Sequence, residues 1–200
     1  MAKSALLVMD VQQGIVDRIG GDGDGGYLGG LRRATDAARR SGIQVIHVVI
    51  GFRAGHPEVS PRNASFSAIA RSGGGGFAEG DPGAEIHPDV APVAGDIVVT
   101  KKRVSAFAGS DLDVVLRAGG IDGLVLTGIA TSGVVLSTLR QAADLDFALT
   151  VLADGCLDGD EEVHRVLTER VFPRQAEVTT VDEWVAATEK AGADPSASHP

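Results

Sequence analysis

The stretch LVLTGIATSGVVLSTLRQA, residues 124–142, carries the clearest signal of the fold. It opens with an apolar run typical of a buried strand, and a glycine-containing turn follows from Thr127 to Gly133. Leu136, Leu139 and Ala143 then recur at helical spacing. A buried strand that turns directly into a helix is typical of a parallel sheet covered by helices.

The same alternation of apolar runs and helical segments continues along the chain. Strands are predicted at residues 4–9, 43–50, 96–100, 122–127, 147–152 and 176–179. Helices are predicted at residues 27–40, 110–118, 133–145 and 160–171, and from residue 180 towards the C-terminus. The pattern predicts an α/β fold with three α/β/α layers and a parallel sheet of about six strands.

One domain is expected over residues 1–190, followed by a disordered tail at 191–200. Two regions interrupt the alternation. Residues 19–30 are rich in glycine, and residues 51–95 contain five of the chain's eight prolines. A connection as long as 51–95 is usually functional or partly helical, and residues 72–76 (SGGGG) predict a flexible loop inside it.

Charge and hydropathy exclude two classes of function. The formal net charge is −9, so there is no basic surplus with which to bind nucleic-acid phosphates. No apolar run approaches the roughly 18 residues of a membrane span, and the N-terminus does not resemble a signal peptide. We therefore expect a cytoplasmic protein that binds neither nucleic acid nor membranes.

Cys156 is the only cysteine of the chain. One thiol can form neither an internal disulfide nor a zinc site with several thiolates, but it can be a nucleophile. No group of histidines and carboxylates has the spacing of a metal site. The sequence predicts neither a metal nor a cofactor.

Polar residues follow three of the predicted strands. Asp10 ends the first strand, Lys101 and Lys102 follow the third, and the 127–133 turn follows the fourth. Ligands of parallel sheets bind at the carboxyl ends of the strands, so these groups are expected to share a crevice. There Lys101 would lower the pKa of Asp10. The alternatives are a turn-capping aspartate, a solvated basic patch and an ordinary connection.

Together these segments resemble the isochorismatase-like superfamily, which includes cysteine hydrolases such as nicotinamidases and N-carbamoyl amidases. The resemblance covers residues 4–186. The segments that carry it are LLVMDVQQGIV from Leu6, TKKRVSAFAGSDLDVVLR from Thr100, LVLTGIATSGVVLSTLRQA from Leu124 and VLADGC from Val151.

The resemblance implies a six-stranded sheet and a catalytic Asp, Lys and Cys triad. Asp10 and Lys101 match its first two members. The family's cysteine falls on Val134, which has no nucleophilic group, and Cys156 lies beyond another strand and is no substitute. The resemblance also implies a cis peptide bond between Ile129 and Ala130.

Around this pair, several residues are candidates for binding substrate. Arg53 and Arg62 could bind a carboxylate, unless they belong to a solvated loop. Backbone N–H groups near Gly133 and Val134 could polarise an oxygen. The full set is Gln12, Arg53, Arg62, Phe107, Ile129, Ala130, Thr131, Ser132, Gly133 and Val134.

Two of these candidates have a second interpretation. Phe107 could instead pack beneath the strand that carries Lys101. The hydroxyls of Thr131 and Ser132 could replace the thiol only beside a positioned base, and no histidine is near them in sequence.

These features imply a hydrolase of a small, anionic metabolite that works without a cysteine nucleophile. Asp10 would act as general acid and base with Lys101 as electrostatic support, on a vinyl ether or a C–N bond. The alternative is a non-catalytic binding or regulatory member of the same fold. The resemblance also implies a homodimer or homotetramer.

Overall fold

The computed structural model describes residues 3–19, 26–71 and 76–193. Six strands form one sheet: β1 (Ser4–Met9), β2 (Gln44–Ile50), β3 (Ile97–Lys101), β4 (Gly123–Ile129), β5 (Ala148–Leu157) and β6 (Glu177–Thr179). The helices are α1 (Gln13–Ile19), α2 (Gly26–Arg40), α3 (Ala64–Arg71), α4 (Leu112–Gly119), α5 (Leu136–Asp144), α6 (Glu161–Val166) and α7 (Val181–Ala193). Wider helical turns at Thr131–Val135 and Leu167–Val171 adjoin α5 and α6.

The sheet is parallel throughout, with the strand order β3-β2-β1-β4-β5-β6. The expected three-layer fold with six parallel strands is thus confirmed. The chain moves outward from β1 through β2 to β3, then crosses to the other side of β1 at β4. The loops after neighbouring strands diverge at such a reversal and leave a crevice at the strands' carboxyl ends. That crevice lies where β1 and β4 end.

Alternation along β1 divides the core between the two faces of the sheet. Ala5, Leu7 and Met9 pack into an apolar cluster with α4 and α5. Leu6 and Val8 point the other way, into a cluster with α2 and α7. Successive side chains of a strand point to opposite faces, so an unbroken apolar run is what a sheet covered on both faces requires.

The 51–95 segment is folded onto the end of the sheet and is partly helical, as expected. A third apolar cluster of Ile50, Phe52, Phe66 and Phe77 holds it there, and Phe66 lies on α3. Neither α1 nor α3 is predicted from the sequence. Both have only seven or eight residues, and α1 (QGIVDRI) combines a glycine with three β-branched residues of low helix propensity.

At the C-terminus, α7 extends to Ala193 and so includes the first three residues of the predicted tail. Residues 194–200 lie outside the described residues, as do 20–25 and 72–75 in the predicted glycine-rich loops. Among the helices of the described ranges, none is long and apolar enough to cross a membrane.

Candidate active site

Asp10 and Lys101 form a buried ion pair at the carboxyl ends of β1 and β3. Nζ of Lys101 lies 2.9 Å from Oδ2 of Asp10 and also donates to the carbonyl of Arg103 at 3.0 Å. Only 2% of the Lys101 side chain and 10% of the Asp10 side chain are exposed. Asp10 has a φ of 56°, and its N–H donates to the carbonyl of Val48. The fold therefore brings together two groups that are far apart in sequence.

The two oxygens of the Asp10 carboxylate have different surroundings. Lys101 holds Oδ2, whereas Oδ1 is buried and has no hydrogen-bond partner among the described residues. Burial raises the pKa of Asp10 above its usual value, and the charge of Lys101 opposes this only in part. The expectation that Lys101 would leave Asp10 with a lowered pKa is therefore wrong, because loss of hydration outweighs the ion pair.

The turn after β4 forms the other side of the crevice. Its Ile129–Ala130 peptide bond is cis, as the resemblance implies. Gly128, with a φ of 138°, passes so close to β1 that a Cβ atom would lie 2.1 Å from the carbonyl oxygen of Met9. Only glycine fits this position, so the turn lies directly against the end of β1.

Polar groups of this turn are largely engaged within the protein. The N–H of Gly133 donates to the carbonyl of Ala130 at 3.0 Å, and that of Ser132 donates to Asp158 at 2.7 Å. The Gly133 N–H, expected to polarise a substrate oxygen, is therefore already hydrogen-bonded. Oγ1 of Thr131 lies 2.8 Å from Nδ1 of His164, a base that sequence proximity could not reveal.

A cavity of about 220 Å³ opens between the ion pair, this turn and α1. A cavity of this size suits a small ligand. Its walls are mainly apolar, and its charged lining residues are Asp10, Lys101 and Arg18. The remaining lining residues are Ile15, Ile19, Ile50, Phe66, Ile69, Phe77, Val104, Ile129, Ala130, Gly133 and Val134.

Six of the sequence-predicted site residues thus border the cavity: Asp10, Lys101, Ile129, Ala130, Gly133 and Val134. Six others are not among its lining residues: Gln12, Arg53, Arg62, Phe107, Thr131 and Ser132. The contacts of the second group explain their positions.

Gln12 is fully buried and braces the backbone. Its Nε2 donates to the carbonyls of Ile50 and Ala84, and its Oε1 accepts from the N–H of Ile50. These three hydrogen bonds fix the end of β2 and the 82–84 turn beside the site. The structure therefore assigns Gln12 a positioning role, with its polar atoms already engaged.

The other non-lining candidates have contacts elsewhere. Arg53 forms an ion pair with Glu58 at 2.6 Å, and Arg62 is exposed. Phe107 packs in the core against Phe147, which is the alternative that the sequence left open. Thr131 is buried and Ser132 is exposed, so the hydroxyl beside His164 does not face the cavity.

Cys156 lies on β5, next to Gly128, inside the core. Only 3% of the residue is exposed, and burial raises the pKa of its thiol to about 12. At pH 8 about one thiol in ten thousand would be ionised, and the thiolate is the reactive form. This thiol has the properties of a structural cysteine.

We predict that Cys156→Ala leaves kcat and KM unchanged while lowering the free energy of unfolding by about 1 kcal/mol, since little more than one buried heavy atom is lost. Steady-state kinetics and urea unfolding measure the two effects. Iodoacetamide should label the Cys156 thiol only after denaturant has unfolded the protein. Loss of activity in a folded Cys156→Ala protein would give the thiol a catalytic role.

Among the described residues, no group of three or more His, Cys, Asp or Glu side chains is arranged to hold a metal ion. The charged groups of the cavity are one carboxylate and two cations, which is not a donor set that metals prefer. Proton transfer by Asp10 is the chemistry that this arrangement offers.

Comparison with known proteins shows the family to which this chain belongs. The model of the isochorismatase domain matches residues 4–183. The isochorismatase family protein YwoC of Bacillus subtilis is 32% identical over 92% of this chain and 93% of its own length. The ureidoacrylate amidohydrolase RutB of Variovorax paradoxus is 36% identical over 91% of this chain and 80% of its own.

A solved structure shows the same fold. The cysteine hydrolase of Pseudomonas syringae pv. phaseolicola superposes with a TM-score of 0.85 at 23% identity, covering 94% of this chain and 93% of that protein. With the sequence matches over nearly the whole length, these results show that the chain belongs to the isochorismatase family of hydrolases.

Proposed function

We propose that this protein hydrolyses a small, anionic metabolite at the Asp10–Lys101 pair, with water in place of a thiol as the nucleophile. The observation that carries the proposal is the Asp10 carboxylate, which lines a mainly apolar cavity. Lys101 holds one of its oxygens, and the other is buried with no hydrogen-bond partner among the described residues. Val134 lines that cavity at the position where the family resemblance places a cysteine, and Cys156 lies in the core.

For a C–N bond, Asp10 acts first as a base and then as an acid. Its carboxylate takes a proton from water, and the resulting hydroxide adds to the carbonyl carbon of the substrate. The C–N bond breaks as Asp10 returns the proton to the leaving nitrogen. Lys101 keeps the carboxylate in place and stabilises its charge in each state.

Two kinds of bond suit this chemistry. The name of the RutB relative, ureidoacrylate amidohydrolase, directs attention to the C–N bond of a ureide. A vinyl ether is the second choice. There a protonated Asp10 would give its proton to the vinyl carbon, and water would add to the resulting cation and return a proton to Asp10. The C–O bond of the hemiketal so formed would then break, which gives a carbonyl compound and an alcohol.

The direct experiment is a turnover assay with purified protein. We expect ammonia release from 3-ureidopropionate, a ureide that carries a carboxylate, and we would assay pyruvate release from isochorismate, a vinyl ether, in parallel. Turnover of the ureide alone supports C–N hydrolysis. No turnover of either compound, or of a wider set of ureides, amides and vinyl ethers, would contradict the hydrolase assignment.

The pH dependence of kcat/KM separates the two chemistries, because they need opposite protonation states of Asp10. Burial raises the pKa of Asp10 above that of an ordinary aspartate. In C–N hydrolysis Asp10 must be ionised, so kcat/KM falls as the pH drops through its pKa, starting at a higher pH than for an ordinary aspartate. In vinyl-ether hydrolysis Asp10 must be protonated, so kcat/KM falls as the pH rises. A pH profile of kcat/KM measures this.

Lys101→Met tests whether Asp10 is the group that titrates in this pH profile, since Lys101 opposes the upward pKa shift of Asp10. In the variant, the limb of the kcat/KM profile that depends on Asp10 should move to higher pH. A limb that stays in place would assign the titration to another group.

A binding protein without catalysis is the second candidate, favoured by the valine at position 134 and the inaccessible thiol. It would bind the same kind of ligand without turnover. Calorimetry beside the turnover assay distinguishes the two.

We further propose a cytoplasmic homodimer or homotetramer without a cofactor, and light scattering of the purified protein tests the assembly.

A further inference from the structure

Arg18 is a charged residue of the cavity lining for which the proposed mechanism has no use. It lies in the last turn of α1, and its side chain is exposed at the cavity. No hydrogen bond or ion pair joins it to the other described residues. A guanidinium at the edge of an apolar cavity that pairs with none of the described residues is available to a ligand.

The geometry of α1 places Arg18 beside an apolar part of the cavity wall. Ile15, Arg18 and Ile19 all line the cavity, and their spacing of three and four residues puts them on one face of α1. The two isoleucines thus form an apolar surface that ends in a cation. A short ligand with an apolar body and one anionic end matches that surface.

The other charges of the cavity give the ligand a direction. Lys101 is already engaged by Asp10 and by the carbonyl of Arg103. Asp10 repels a second carboxylate, so an anionic group of the ligand is unfavourable beside Asp10. Arg18 is the cation of the lining that remains, and its planar fork can hold a carboxylate through two hydrogen bonds.

We propose that Arg18 is the anion-binding residue of the cavity and selects ligands with a carboxylate at one end and the hydrolysable group at the other. The role of Arg18 in binding an anion rests on the cavity alone, whereas the hydrolysable group at the other end of the ligand rests on the proposed function.

The proposal replaces Arg53 and Arg62, the sequence candidates for the same role. Neither lines the cavity, and Arg53 is paired with Glu58. Arg62, which is exposed and not among the lining residues, therefore offers a matched control for the removal of one arginine.

Binding can be tested without any turnover. Calorimetry would compare pentanoate with pentanamide, which have the same apolar body but differ in charge. Wild type should bind pentanoate more tightly, by about 10- to 100-fold, the usual range for a charge-assisted hydrogen-bonded pair. Arg18→Gln should abolish that preference, Arg18→Lys should restore part of it, and Arg62→Gln should retain it.

Three results would overturn the proposal: equal binding of the two probes by wild type, binding of neither, or an unchanged preference in Arg18→Gln. Circular dichroism confirms that each variant is folded. If the preference depends on Arg18 but no ureide or vinyl ether is turned over, the anion site stands and the hydrolase proposal fails.

Discussion

Asp10→Asn is expected to lower kcat by about 10²- to 10⁴-fold, the usual contribution of a positioned acid or base. Asparagine has a similar shape and can still accept a hydrogen bond from Lys101, but it cannot take a proton from water or return one to a leaving group. The loss should appear in kcat more than in KM, because the substrate's carboxylate would be bound at Arg18.

Asp17→Asn is the matched control for this variant. Asp17 lies on α1 near the site, but it is exposed and does not line the cavity. We expect wild-type kinetics from it. Rates are compared per folded molecule, measured by circular dichroism, since Asp10→Asn also leaves a buried lysine without its counter-charge. A folded Asp10→Asn protein with wild-type kcat would remove Asp10 from the mechanism.

The second large effect is on stability. Lys101→Met should lower the free energy of unfolding by about 3–5 kcal/mol, since loss of one partner of a buried ion pair leaves the other charge uncompensated. Urea unfolding measures the loss. Lys102→Met is the neighbouring control: this half-buried lysine donates to the carbonyl of Gly51 and lies 3.9 Å from Glu58. A smaller loss is expected there.

The destabilisation should depend on pH with a definite sign. Without Lys101, the pKa of Asp10 in the folded protein is raised further above its unfolded value. Such a group favours folding below the unfolded pKa, and that contribution is lost as the pH rises through the folded pKa. The deficit of Lys101→Met relative to wild type should therefore shrink at acidic pH.

A double-mutant cycle completes the test. Asp10→Asn combined with Lys101→Met removes both charges, so the pair should lose less stability than the sum of the single variants. Additive losses, or a Lys101→Met deficit that does not change with pH, would contradict the buried ion pair.

Several site residues were predictable because they adjoin strands. Asp10, Lys101 and the Ile129–Val134 turn follow apolar runs whose ends share one edge of a parallel sheet. The side of the cavity formed by α1 and α3 was not predictable, since these short helices have weak local signals. Their faces are set by the third apolar cluster, which depends on contacts distant in sequence.

The same limit explains Gln12 and Arg18. Gln12 follows Asp10 by two residues, yet it turns inward because backbone groups of Ile50 and Ala84 are there to be satisfied. Arg18 lies between Asp17 and Ile19, and only the packing of α1 turns it towards the cavity. A side chain's direction depends on neighbours that its own segment does not contain.

Apolar runs that alternate with helices have few ways to bury their surface, so the linear pattern specifies the layered fold and the strand ends that meet at the site. The packing of distant segments sets which polar groups face the cavity and how far they are hydrated. Burial raised the pKa of Asp10 despite Lys101, and Cys156 lies in the core. The hydration of a polar group and the direction of a side chain depend on the residues packed around it, and the linear sequence does not specify those neighbours.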